Sequence, residues 1–99
     1  MADYQFEREC RTPYSEAYIV ISGGERVGRV DIHFTPSIVY ATLCVNENIS
    51  ADGIQELIDA IDEELVMSAD VARDDFIVTV YQGRETGVFS DEEFEEEEE

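Results

Sequence analysis

The sequence predicts an α+β domain: a mainly antiparallel sheet of five to six strands with one helix packed on one face. Three observations predict it. Stretches within the first 45 residues alternate polar and apolar side chains, or run apolar throughout, and turn-forming residues separate them. One stretch, from Asn48 to Ala69, carries apolar residues at helical spacing. The strand pattern then returns. The expected order is β-β-β-β-α-β, with a short last strand at Thr86–Phe89 as the sixth. Consecutive hairpins make the sheet mainly antiparallel, and a helix across one face buries the apolar side of both. The direction of the strand after the helix is open at this stage.

Residues 3–11, DYQFERECR, alternate: Tyr4, Phe6 and Cys10 point one way and Asp3, Gln5, Glu7, Glu9 and Arg11 the other. This is the pattern of a half-exposed strand. Arg8 falls on the inner side, where its long stem can carry the charge to the rim. Thr12-Pro13 breaks the strand. Residues 16–22 and 26–34 are the next two strands, joined at Gly23-Gly24, because glycine accepts the positive φ that a tight hairpin demands. In the second of these, Val30, Ile32 and Phe34 should face the core, with Arg29, Asp31 and His33 outward. Gly28 suits a bulge or a point of close backbone approach. Thr35-Pro36-Ser37 is a turn. Residues 38–45, IVYATLCV, are apolar nearly throughout, which predicts a central strand covered on both faces.

Within the helix, Ile54, Leu57, Ile58, Ile61 and Leu65 form one stripe. Ser50 suits the N-cap, where its hydroxyl can accept a backbone N–H left unpaired in the first turn. Ile49 and Ile54 then fall at the two ends of a hydrophobic staple. The polar side holds only acids and Gln55, and Glu63 and Glu64 lie near the C-terminus, where the macrodipole disfavours anions. Each such clash costs a few tenths of a kcal/mol, roughly. Five buried aliphatic side chains at about 1.5–3 kcal/mol each outweigh it, so the sheet must hold the helix in place. Met67 to Asp75 reads as a connector. Residues 76–82, FIVTVYQ, are β-branched and aromatic, as strands prefer.

Ninety-nine residues allow one domain, taken as residues 1–89, followed by an acidic tail over 90–99 that is expected to be disordered. The chain has 25 acids, six arginines and no lysine, for a net charge of −19. Eight acids lie in residues 91–99, so residues 1–90 still carry a net −11. Three readings of this acidity compete: solubility or genomic composition, a complementary surface for a basic partner, or imitation of a nucleic-acid backbone. Direct nucleic-acid binding is disfavoured, because phosphate would be repelled and no basic patch is visible in the sequence. Anionic membranes would be repelled too. No apolar run reaches membrane-spanning length, and the first residues show no signal-peptide pattern, so a cytoplasmic location is expected. Cys10 and Cys44 form no CxxC pair and read as ordinary thiols of a reducing compartment.

Few residues suggest chemistry. Arg29, Asp31 and His33 share one strand face, and a carboxylate beside an imidazole can serve general-base catalysis. Alternation also produces such rows as plain solvated surface, and partners two residues apart sit about 6–7 Å apart unless their side chains lean together. Asp59, Asp62 and Glu63 on the helix, and Asp70, Asp74 and Asp75 in the connector, offer carboxylates without a converging second element, so no metal site and no cofactor are assigned. Gly23, Gly24 and Gly28 precede no helix and are no phosphate loop. Tyr14, Tyr18, Tyr40 and Tyr81 read either as sheet residues with hydroxyls at the rim or as an interface patch. Ser90 precedes acids that an acidophilic kinase would accept. No motif raises one activity above the others. The leading expectation is a non-enzymatic interaction or regulatory module that binds a basic protein through Asp91, Glu92, Glu93, Phe94 and Glu95. An exposed strand edge would serve a second contact or a homodimer, the alternative being a monomer. The competing readings are a nucleic-acid mimic, and a small enzyme or ligand-binding domain using Arg29, Asp31 and His33.

Overall fold

The computed structural model describes residues 3–67 and 74–91. Strands β1 (Tyr4–Thr12), β2 (Ser15–Ser22), β3 (Glu25–Phe34), β4 (Ile38–Val45) and β5 (Asp75–Gln82) form one sheet in sequence order. β1 to β4 are an antiparallel meander, and β5 runs parallel to β4. Parallel neighbours need a long crossover, and helix α1 (Ala51–Ile61) lies in it, continuing into a π-helical turn over Asp62–Val66.

Local chemistry explains the joints. Gly23 and Gly24 hold φ of 61° and 82°, the left-handed values of the β2–β3 hairpin. Thr35 closes the β3–β4 turn: its hydroxyl donates to the Ile38 carbonyl at 2.6 Å and accepts the Ile38 N–H at 3.1 Å. Ser50 caps α1, accepting the Gly53 N–H at 3.0 Å. One core then forms between the helix and one sheet face, with Val30, Ile32 and Leu43 meeting Leu57, Ile61 and Val66, all buried. Ile49 and Ile54 pack against its edge together, as a staple would. Tyr4 reaches from β1 to donate a hydrogen bond to the Gly53 carbonyl at 3.3 Å, tying the first strand to the helix.

Three expectations are corrected. Cys10 does not share a face with Tyr4 and Phe6. Arg8 pairs with Tyr18 while Cys10 pairs with Ala17, so Glu9 is an extra residue, and this bulge reverses the alternation beyond it. β4 is covered on one face only: Val39, Ala41, Leu43 and Val45 are buried, whereas Tyr40 and Cys44 are exposed. Thr86–Phe89 is not a strand, and residues 84–90 have no regular secondary structure. The chain leaves the sheet at Gly83, and Glu85 contacts Arg26 of β3 at 3.8 Å, so it turns back across the sheet end.

Candidate functional site

The face of the sheet opposite α1 is bare among the described residues. Its side chains come from the positions that alternate with the core. Strand register sets Glu7, Ile19, Arg29, Cys44 and Tyr81 in one row across the five strands. Four positions along, His33, Tyr40 and Ile77 form another row. Tyr40, Ile77 and Tyr81 are 42%, 40% and 61% exposed, which is unusual for large side chains in the middle of strands. Thr42 and Thr79 lie between them. Two acids border this stripe, Asp31 on β3 and Asp75 at the start of β5, whereas Glu7 and Glu9 lie on β1 at the far edge of the sheet.

Arg29 anchors the polar half of this face. Its guanidinium meets Glu9 at 2.9 Å and Asp31 at 3.3 Å. Burial works against its charge, but Asp31 and then Glu9 more than offset that, and its pKa is raised. Arg29 and Asp31 therefore do come together, by leaning along the strand. His33 is exposed and stands apart from that pair: the Asp31 carboxylate is turned to Arg29.

A cavity of about 480 Å³ opens at the end of the sheet where β3 begins and β4 and β5 finish. Arg29 lines it, whereas Asp31 and His33 do not. Arg26, Arg84, Val27, Val45 and Tyr81 contribute the rest of its character. Backbone bonds brace the surroundings: Asn46 N–H to the Val27 carbonyl, and Gly83 N–H to the Val45 carbonyl, each at 2.9 Å. The Gln82 amide donates to the Ile49 carbonyl at 2.7 Å and to that of Asn46 at 3.2 Å. Gly28 sits under this end because β3 and β4 approach closely there, and a Cβ would run into the Cys44 carbonyl oxygen.

The other sequence candidates fall as follows. Among the four tyrosines, Tyr14, Tyr40 and Tyr81 are exposed. Tyr18 lies on the helix side, edge-on to Phe6 with ring centres 6.4 Å apart, and donates to Glu16. Asp91 is exposed, while Glu92, Glu93, Phe94 and Glu95 lie outside the described residues, as does Asp70. Among the described residues no three His, Cys, Asp or Glu side chains are grouped to hold a metal ion. No helix is long and apolar enough to cross a membrane. Cys10 and Cys44 are free thiols.

Sequence reasoning missed the stripe and the cavity. Tyr40 and Tyr81 were visible as tyrosines, but joining them to Ile77 needs the parallel register of β4 and β5. Arg26 and Arg84 are far apart in sequence, and only the return of the chain after Gly83 brings them to one place. Compared with protein-family models, curated proteins and solved structures, the chain matches none.

Proposed function

We propose that this domain is a non-enzymatic interaction module whose bare sheet face docks on a basic protein, in the cytoplasm. The observation that supports the reading is the exposed stripe of Tyr40, Ile77 and Tyr81 with Asp31 and Asp75 beside it. An apolar, aromatic centre inside a polar rim is the anatomy of a protein interface. With a net charge of −19, the complementary partner presents an apolar spot ringed by lysine and arginine. The acidic run from Asp91 onward adds a tether to the same partner, and its charge speeds the encounter. A second contact is available at β5. The β1 edge carries Glu7, Arg8, Glu9, Arg11 and a bulge, all features that discourage strand pairing, whereas β5 carries a single charge, Asp75.

The test captures proteins from a native lysate with the full chain, with a chain ending at Ser90, and with an Ile77→Glu/Tyr40→Glu variant. A basic partner that the face variant loses, and that high salt weakens, is the expected result. A partner that the face variant retains at full strength overturns the docking face. An acidic partner, or none in any arm, overturns the whole reading.

A further inference from the structure

The cavity at the sheet end carries a separate inference, although it shares Tyr81 with the docking stripe. Arg26, Arg29 and Arg84, half of the chain's six arginines, line this one cavity in a protein of net charge −19. Among the described residues Glu85 is the only acid lining it. The arginines differ in how far their charge is answered. Arg29 is committed to Glu9 and Asp31. Arg26 meets Glu85 only at 3.8 Å, with both side chains at least half exposed. Arg84 has no ion pair with a described residue. Two guanidinium groups are thus loosely held or free at the rim. Beside them the exposed Tyr81 ring and the exposed Cys44 side chain, cross-strand neighbours, line the cavity, while Val27 and Val45 turn their side chains into the core.

We propose that this cavity binds a small organic anion with a flat apolar body. The body rests against the Tyr81 ring and its cross-strand neighbour Cys44, both exposed, and its oxyanion is held by Arg26 and Arg84. Arginine suits this task, because its planar fork can give two parallel hydrogen bonds to a carboxylate, sulfonate or phosphate. A volume of about 480 Å³ lies within the range of small-molecule sites. The chain's overall negative charge does not forbid the site. At about 0.15 M salt the screening length is roughly 8 Å, so distant acids are damped and the nearby arginines dominate.

The test is a fluorescence titration of the full chain with 1-anilinonaphthalene-8-sulfonate at physiological salt. Its uncharged relative N-phenyl-1-naphthylamine is run beside it. Saturable binding of the sulfonate is expected, at least tenfold weaker in an Arg26→Gln/Arg84→Gln variant whose circular dichroism and melting match the parent. The uncharged dye should not respond to that variant. Tyr81→Ala should weaken both dyes, and Ile77→Glu, which lies outside the cavity, should weaken neither. Displacement by 2-naphthoate or by 2-naphthyl phosphate assigns the anion as carboxylate or phosphate. Equal sulfonate affinity in the double arginine variant overturns the proposal, as does the lack of saturable binding or of displacement by either competitor. If the double arginine variant does not fold, Arg84→Gln alone decides by the same criterion.

Discussion

Tyr4 shows how one hydroxyl joins sequence-distant elements. Its hydrogen bond to the Gly53 carbonyl fastens the edge strand β1 to the first turn of α1. Tyr4→Phe should cost about 0.5–1.5 kcal/mol by urea unfolding, the usual worth of one such bond. The same residue predicts a pH response. The pKa of Tyr4 is raised above 10.0 by burial and then by Glu56. That of Tyr18 is raised by burial and then by its bond to Glu16. The folded state therefore keeps these protons more tightly than the unfolded chain does. Their contribution is constant below the ordinary tyrosine pKa and is lost as pH rises through the folded values. Stability should fall at alkaline pH, and a Tyr4→Phe/Tyr18→Phe variant should fall less steeply, read from urea midpoints across that range. At this scale much was legible: Ser50 as cap, Gly23-Gly24 as turn, and Gly28 as a close approach each follow from the chemistry of one residue. Cys10 was misplaced because the bulge at Glu9 is set by the pairing of β1 with β2, which residues 3–11 alone do not specify.

At the scale of elements, α1 is held by its buried stripe more than by its own ends. Its acids have no cation in the last turn, and along its exposed face the Gln55 amide donates to Asp59 at a long 3.5 Å. Leu57→Ala should therefore cost about 2–5 kcal/mol, and Ser50→Ala only about 1 kcal/mol. Chemical denaturation of the two variants checks the ranking, and a reversal would mean that capping, not packing, holds the helix. Strand β4 teaches the opposite lesson. An unbroken apolar run predicted cover on both faces, yet its even-numbered positions include the exposed Tyr40 and Cys44. Apolar composition reports what a strand can bury. The number of layers decides what it does bury, and among the described residues one helix supplies one layer. The stripe proposed for docking is therefore the part of β4 and β5 that the described residues leave without a neighbour.

Across the whole molecule, charge is the dominant asymmetry. A net −19 on 99 residues opposes any compact state, because folding brings like charges together. Raising NaCl from roughly 0.01 M to roughly 0.5 M shortens the screening length from about 30 Å to a few Å. The melting temperature should rise accordingly, by about 4–8 °C for each kcal/mol of repulsion relieved. An unchanged or lower melting temperature would mean that the ion pairs, Arg29 with Glu9 and Asp31 above all, outweigh the net repulsion. The same salt series should weaken capture of a basic partner, so stability and binding should move in opposite directions.

The sequence by itself determined the class and order of the elements. Period-2 and period-3.6 patterns, glycine turns and a serine cap are local properties, each written within a few residues. It also determined the charge balance. Only the tertiary structure decided that β5 runs parallel to β4, that one sheet face is bare among the described residues, and that Arg26, Arg29 and Arg84 line a single cavity. Those facts depend on which distant residues become neighbours. Pairing is a property of two segments at once, and no single stretch of this chain contains it.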